Sequence, residues 1–311
     1  MPRRIVFFGT SDFSVPSLRA LLADPRFEVV AVVTQPDKPV GRHQEMTPPP
    51  VKVLAQERKI KVFQFDKIKT DEAYAILKQV QDGMNVDAYV VVSYGKIIPD
   101  RILALPIHGC INVHGSLLPR WRGASCVQAA IAAGDEKSGV TVMLMDALMD
   151  HGPILAQREE TIRPEDTGGT LHDRLADLGA KTLPDVLNDY LTGKIQPQEQ
   201  NHEQTTSCKL LTRDDGKIDW NKPADEIERL IRAYDPWPGT FTIVDGKRFK
   251  IMESRSAQSQ LGSEQQIGIL IDASGKLLIN CGDGKALEIF KLQPEGKKPM
   301  TAKEYLAGHA L

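Results

Sequence analysis

The sequence has no apolar run long enough to cross a membrane, and its few cysteines form no metal-binding pattern. None of its apolar segments approaches the roughly 18 residues that a bilayer-spanning helix needs. The first of them, residues 5–8, is too short for a signal peptide. The four cysteines are widely spaced without a Cys-x-x-Cys pair, which argues against a zinc ribbon and a disulfide framework. We therefore expect a cytoplasmic protein without membrane contact.

The sequence also lacks an excess of either charge. Lys and Arg number 39 and Asp and Glu number 41, so the formal net charge at pH 7 is -2. This balance gives no general basic surface for nucleic acid, and a polyanionic partner would have to be bound by local basic patches. The chain of 311 residues is long enough to form two domains.

Glycine is missing where a dinucleotide-binding fold would need it. The first strand–turn–helix pattern contains Gly9 alone of the three glycines that cradle a pyrophosphate in the Gly-x-Gly-x-x-Gly motif. Ser11 and Ser14, in the same turn, are of a type that caps helix starts. The pattern therefore argues against a dinucleotide-dependent oxidoreductase.

Short apolar segments alternate with helical patterns over the first 190 residues. Continuous apolar strands separated by helices are typical of a parallel sheet covered on both faces. We therefore predict a doubly wound, mostly parallel α/β domain over residues 1–191. The predicted strands are residues 5–8, 27–34, 86–92, 109–113, 140–145 and 154–163, and the predicted helices are residues 14–23, 48–58, 124–133 and 168–191.

The rest of the chain has a different pattern. Residues 192–207 are polar and without periodicity, which predicts a linker. A short helix is predicted over residues 224–234, and the short apolar runs after it are separated by turn signals such as Ser-Gly and Asp-Gly. These runs predict a small OB-like β-barrel over residues 208–311. Its predicted strands are residues 240–244, 249–252, 267–271, 277–281 and 286–292.

Two polar residues, Asn112 and His114, interrupt the apolar run around residues 109–113. Residues two apart in a strand project from the same face, and parallel sheets bind ligands beyond the carboxyl ends of their strands. A later strand leads to Asp150, whose carboxylate would orient an imidazole and favour its cation. Such a set without an adjacent Ser or Cys suits acyl transfer to an external nucleophile. The alternative is a pair of hydrogen-bonded structural residues at the strand end.

Two other features of the sequence bear on ligand binding. The histidines His108, His114 and His151 lack the i, i+4 spacing of a helical metal site, so we expect no metal. The loop at residues 35–50 carries five prolines and Arg42, and is long for a compact α/β domain. It is either a solvated loop or a substrate-contacting loop in which Arg42 binds an anion.

The segment NVHGSLLP at residues 112–119 resembles the signature of the 10-formyltetrahydrofolate-dependent formyltransferases, which pair it with a later Asp, here Asp150. PRWRGA (119–124), TPPPVKVLA (47–55), KIDW (217–220) and IRAYDPWPG (231–239) resemble the members of this family that act on tRNA. The resemblance covers residues 3–311. Among its departures are Gly115, where Ala is more usual, and His151, where Thr commonly follows the Asp.

The resemblance implies a Rossmann-like formyltransferase domain, an OB-like tRNA-binding domain and 10-formyltetrahydrofolate as formyl donor, without a metal. Asn112 and protonated His114 would stabilise the tetrahedral oxyanion, and Asp150 would hold the imidazole and relay the proton of the attacking amine. The implied folate-binding residues are Ser116, Leu117, Leu118, Pro119, Tyr94, Gly95 and Ile98. The implied tRNA-binding residues are Arg42, Arg120 and Arg122.

The favoured acceptor is methionine esterified to initiator tRNA, whose formylation serves translation initiation. An amino sugar or a ribonucleotide amine is the alternative acceptor within the family. A non-catalytic RNA-binding protein with an OB-like tail is a rival from another class, but it would not need the Asn, His and Asp set. We expect the protein to be a monomer.

Overall fold

The computed structural model describes residues 1–41, 43–244, 246–260 and 267–308, so Arg42 lies outside the described residues. Up to residue 191 the chain alternates strands with helices. The strands are β1 (Arg3–Gly9), β2 (Phe27–Thr34), β3 (Lys38–Val40), β4 (Glu45–Thr47), β5 (Lys61–Gln64), β6 (Ala88–Val92), β7 (Cys110–His114), β8 (Lys137–Leu144) and β9 (Ile154–Thr161). The helices are α1 (Ser14–Ala23), α2 (Pro50–Glu57), α3 (Asp71–Met84), α4 (Asp100–Leu103), α5 (Cys126–Ala133) and α6 (Gly168–Leu191).

Seven of these strands form one sheet in the order β5-β2-β1-β6-β7-β8-β9. The pairs from β5 to β7 are parallel. Strands β6 and β7 are buried along their whole length, as continuous apolar runs covered on both faces should be. The predicted mostly parallel α/β class is therefore confirmed. Strand β8 runs antiparallel to β7, with Ile111 opposite Leu144 and His114 opposite Thr141.

The order in which strands are added reverses between β1 and β6. From β1 the chain adds β2 and β5 on one side, and it then returns to add β6 and β7 on the other. In open α/β sheets such a reversal leaves a crevice outside the carboxyl ends of the strands, where ligands bind. The loops that follow β1, β6 and β7 all emerge at this edge.

The C-terminal part of the chain forms an antiparallel sheet in the order β10-β11-β14-β13-β12, with β15 paired to β14. Its core is apolar and includes the buried side chains Trp220, Ile227 and Leu287. The predicted change from a parallel α/β sheet to an antiparallel β unit is confirmed. The elements are α7 (Ala224–Ala233), β10 (Thr240–Val244), β11 (Lys247–Gln260), β12 (Leu270–Ala273), β13 (Lys276–Asn280), β14 (Lys285–Pro294), β15 (Met300–Thr301) and α8 (Ala302–Gly308).

Two compact units contain the chain, and neither is a single continuous segment. One unit comprises Met1–Cys126, Ser138–Thr161 and His172–Cys208, and the other comprises Val127–Lys137, Ile162–Leu171 and Lys209–Leu311. The domain boundaries at residues 191 and 208 stay a prediction. Among the described residues, no helix is both long and apolar enough to span a membrane.

Candidate active site

Asn112 and His114 lie at the carboxyl end of β7. The strand runs through His114, so the two side chains share one face by the alternation of an extended chain. Only 9% of Asn112 and 7% of His114 is exposed. Buried polar groups of this kind need hydrogen-bonding partners, since leaving one unsatisfied costs about 1–3 kcal/mol.

Asp150 faces both side chains, and a loop rather than a strand end brings it there. Because β8 is antiparallel, its end lies beside the start of β7, and residues 145–153 lead back toward His114. Oδ1 of Asp150 accepts a hydrogen bond from Nδ2 of Asn112 at 3.4 Å and lies 3.6 Å from Nδ1 of His114. Its Oδ2 accepts from the backbone N–H of Gly123 at 2.8 Å. The three sequence-predicted residues thus lie together.

His114 has an acceptor at each ring nitrogen. Nδ1 faces Asp150, and Nε2 lies 3.0 Å from the carbonyl oxygen of Trp121, so that Nε2 must carry a proton and donate it. Burial by itself lowers the pKa of His114, but attraction to the sulfur of Cys126 and to the Asp150 carboxylate, with the Trp121 carbonyl, raises it to about 9. The imidazole is therefore protonated at neutral pH.

The loop after β7 carries the first group of predicted folate-binding residues. Ser116 Oγ donates to the carbonyl of Arg120 at 2.6 Å, and its own carbonyl accepts from Thr141 Oγ1 at 2.7 Å. Leu118 is buried, its N–H donates to Thr141 Oγ1, and its peptide bond to Pro119 is cis. Leu117 and Pro119 are partly buried. The loop is thus fixed by internal hydrogen bonds.

The loop after β6 carries the remaining predicted folate-binding residues. Tyr94 and Ile98 are buried, and Gly95 is exposed with φ +77°. The carbonyl of Tyr94 accepts from Thr10 Oγ1 at 2.8 Å and from Gln35 Nε2 at 2.9 Å. This loop and the loop after β7 leave neighbouring parallel strands at the same edge of the sheet. Thr10 and Gln35 were not predicted from the sequence.

The predicted RNA-contacting arginines Arg120 and Arg122 differ in their surroundings. Arg120 is exposed, and its guanidinium lies 4.6 Å from the ring centroid of Trp121. The guanidinium of Arg122 donates to Gln200 Oε1 and lies 2.8 Å from Nδ1 of His202. Arg42 is not among the described residues.

Sequence reasoning missed the contribution of residues 198–208 to the site. Gln200 is 5% exposed and contacts the loop that carries Asp150, while Thr206 accepts from the N–H of Trp121 through Oγ1 at 2.9 Å. The N–H of Cys208 donates to the carbonyl of Arg122 at 2.8 Å. This segment has no periodicity, so no signal in the sequence indicated that Gln200 is buried against the site.

Two sequence profiles match the chain. Residues 3–187 match the family described as formyl transferase, and residues 210–310 match the family described as formyl transferase, C-terminal domain.

Individual relatives are similar over nearly the whole chain. The methionyl-tRNA formyltransferase of Myxococcus xanthus is 44% identical over 308 residues, covering 99% of this chain and 96% of that protein. The methionyl-tRNA formyltransferase of Xanthomonas axonopodis pv. citri is 46% identical over 306 residues, covering 97% of this chain and 96% of that protein. Among solved structures, the sugar 3N-formyl transferase WlaRD is 19% identical with a TM-score of 0.67, covering 96% of this chain and 99% of that one.

Proposed function

The chain belongs to the formyl transferase family, and on this premise we propose that it transfers the formyl group of 10-formyltetrahydrofolate to the α-amine of methionyl-tRNA. The products are N-formylmethionyl-tRNA, which serves translation initiation, and tetrahydrofolate, whose nitrogen loses the formyl group and takes up the proton that the amine gives up. The observation that carries the proposal is the contact of one partly buried carboxylate, Asp150, with both Asn112 and His114. Relatives that carry the methionyl-tRNA formyltransferase name cover nearly the whole chain at 44% and 46% identity.

Asn112 and His114 stabilise the negative charge that develops on the formyl oxygen when the amine attacks. The amide of Asn112 is a donor, and protonated His114 is a charged donor, which forms the stronger kind of hydrogen bond. Nε2 of His114 donates to the Trp121 carbonyl. The formyl oxygen therefore competes with this main-chain carbonyl for the hydrogen bond of Nε2.

Asp150 acts on the amine and on the imidazole. Its Oδ1 faces His114 and favours the imidazolium, and an amine that attacks beside it loses its proton to the carboxylate. The N–H of Gly123 fixes the other carboxylate oxygen. Asp150 has φ +50°, an uncommon conformation for a residue other than glycine, so the loop around it is held in one geometry.

The donor fits between the loops that follow β6 and β7. The buried side chains Ile98 and Leu118 give an apolar floor. Gly95 has φ +77° and packs against Gln35, whose Nε2 a Cβ at this position would meet at 2.5 Å, so the loop after β6 keeps its shape only with glycine there. Backbone N–H and C=O groups suit a pterin, a flat ring whose edges carry several hydrogen-bond donors and acceptors. The side chains of Ser116 and Tyr94 shape these loops from within.

The RNA is bound by local positive charge, because the whole chain has a net charge of -2. We assign this contact to Arg42 and Arg120. Arg122 lies in the same loop as Arg120, at the inner end of that loop. The protein acts as a monomer in this proposal.

The test is to incubate the protein with 10-formyltetrahydrofolate and charged initiator tRNA and to measure formyl-methionine. Asn112→Ala, His114→Ala and Asp150→Asn should each reduce kcat by about 10²-fold or more without loss of fold, because each removes a group that acts in the transition state. Near wild-type turnover of any of the three would contradict the site. Transfer to an amino sugar but not to the tRNA would establish the alternative acceptor.

A further inference from the structure

Gln200 joins the backbone on both sides of the loop that carries the reactive carboxylate. Its Nε2 donates to the carbonyl of Asp150 at 2.9 Å and to the carbonyl of Gly152 at 2.8 Å. Its Oε1 accepts from Nε and Nη2 of Arg122 at 3.1 and 2.6 Å. The amide thus uses both donors and its acceptor in a position that is 5% exposed.

We propose that Gln200 is a positioning residue for the formyl transfer, which fixes Asp150 through its main chain and thereby sets its distance from His114. The proposal rests on the proposed function. Asp150 bonds Gly123 through its side chain and Gln200 through its carbonyl, so the residue is held at both ends. Arg122, which lies next to Gly123, holds Gln200 in turn, and the contacts close a ring of hydrogen bonds around the site.

A second anchor fixes the chain that supplies Gln200. Gln198 and Ile154 exchange two backbone hydrogen bonds, at 2.7 and 2.9 Å, two residues before Gln200. The side chain of Gln200 is buried and that of Gln198, two residues earlier, is exposed. Gln198→Ala is therefore a matched control.

Gln200→Ala should reduce kcat by about 10²-fold while the KM for the donor stays near wild type, because small displacements of a reacting group cost about that much. Gln200→Glu keeps the acceptor for Arg122 and loses both N–H donors, so it should fold and be equally impaired. Gln198→Ala should behave like wild type. Wild-type kcat in folded Gln200→Glu would overturn the proposal.

The pH dependence of kcat separates a positioning role of Gln200 from a role in the stability of the fold alone. If Asp150 moves away, the pKa of His114 falls toward its ordinary value. The decline of kcat at high pH should then begin at a lower pH in both Gln200 variants. NMR titration of His114 measures the same shift without any acceptor, so it stays informative if methionyl-tRNA is not the substrate. A lower kcat with an unmoved His114 titration would overturn the positioning role.

A second, independent observation concerns the imidazoles of His151 and His202. Their ring centroids are 4.2 Å apart and the ring planes differ by 5°, so the rings are stacked face to face. Nδ1 of His151 lies 2.6 Å from Oδ2 of Asp146, and Nδ1 of His202 lies 2.8 Å from Nη2 of Arg122. His202 is exposed, and the stack is thus a fixed flat surface beside the site.

The geometry points to these rings as the platform on which the terminal base of the acceptor RNA stacks. This inference also rests on the proposed function. His151 directly follows Asp150, so their Cα atoms are about 3.8 Å apart. An α-amine held at Asp150 is joined through its ester to the terminal ribose, which brings the base of that nucleoside near the rings. Single-stranded RNA bases are commonly bound by stacking on flat side chains, histidine among them.

The test compares two small acceptors, methionyl-adenosine and methionine methyl ester. His202→Ala should lower kcat/KM for methionyl-adenosine by about 10-fold or more, leave the methyl ester unchanged and leave the KM for the donor unchanged. His202→Phe keeps a flat ring and should retain most of the activity. His172→Ala is the control, since His172 contacts Phe13 instead. Equal losses with both acceptors, or no loss in His202→Ala, would overturn the platform.

Discussion

His114 is a buried imidazole with hydrogen-bond acceptors on both sides. Burial by itself would favour the neutral ring and lower its pKa. Attraction to the sulfur of Cys126 and to the Asp150 carboxylate, with the hydrogen bond to the Trp121 carbonyl, favours the cation and raises the pKa to about 9. Protonation at neutral pH thus follows from the acceptors and the negative charge that face the ring.

Removing the charge of Asp150 should change the pH range of activity. In the proposed mechanism the protonated form of His114 is the active one, so turnover should decline as pH rises through about 9 in the wild type. Asp150→Asn should move this alkaline limb to lower pH as well as reducing kcat, because the neutral amide no longer attracts the imidazolium. Steady-state kcat measured from pH 6 to 10 tests this, and an unmoved limb would contradict the pairing.

The same titration should appear in the stability of the fold. The folded-state pKa of His114 is raised from 6.5 to about 9, so its contribution is fully present below pH 6.5 and is lost as pH rises through about 9. His114→Gln should remove this component. The fall in Tm from pH 6 to pH 10 is therefore expected to be smaller in the variant, and thermal denaturation at fixed ionic strength measures it. Parallel Tm curves would contradict the raised pKa.

The turn at Gly123 links the β7 loop to Asp150, and it requires glycine. Gly123 has φ +115°, and an added Cβ would lie 2.1 Å from the carbonyl oxygen of Cys208. Gly123→Ala should therefore displace the N–H that holds Asp150, lower kcat by about 10-fold or more and lower Tm. Gly83→Ala in α3, where a Cβ meets nothing within 4 Å, should raise stability by about 0.5–1 kcal/mol. Wild-type kcat and Tm in Gly123→Ala would contradict this account of the turn.

Some elements were predictable because local pattern decides them. Helices α1 and α6 have the predicted bounds, since their apolar residues recur at helical spacing. Helix α3 was missed although Thr70 caps it, because its fully buried residues are only Ala73 and Leu77. Strand β5, with four residues and no fully buried side chain, gives an equally weak pattern.

Strand direction and the path of the following loop were not predictable. Strand β8 is buried from Ser138 to Met143, much as the parallel strands of the sheet are buried, so burial and composition do not reveal that it is antiparallel. Asn112 and His114 could be found because polar residues are rare in a buried strand. Gln200 could not, because its role depends on a contact 50 residues away along the chain, with the Asp150 carbonyl.

At the scale of the whole molecule, near-neutral net charge makes RNA binding depend on few cations. Arg42→Ala and Arg120→Ala should each raise the KM for tRNA and reduce the slope of log affinity against log salt by about 1. Arg101→Ala is the control. Its guanidinium donates to Asp71 in α3 and to the carbonyl of Lys69 in the turn before α3. Salt-dependent KM values test this, and an unchanged slope in both variants would contradict the assignment.

The discontinuous C-terminal unit makes the chain sensitive to truncation after residue 208. Within this unit Arg232 donates to the carbonyl of Asp166 at 2.7 Å, Arg229 donates to that of Ala132 at 3.3 Å, and the N–H of Gly169 donates to that of Asp235 at 2.9 Å. A chain ending at residue 208 loses these contacts and should melt more than about 5 °C lower. An equal Tm in calorimetry would contradict this.

The carbonyl of Trp121 accepts the hydrogen bond of Nε2 of His114, the main charged donor of the candidate site. Any oxygen that enters must first displace this carbonyl, and a hydrogen bond to a charged group contributes about 1.5–3 kcal/mol. A formyl donor held by two loops and an aminoacyl ester held by an RNA surface have other contacts that offset this cost. In the proposed reaction the contacts that hold the donor are therefore a condition for its formyl oxygen to reach His114.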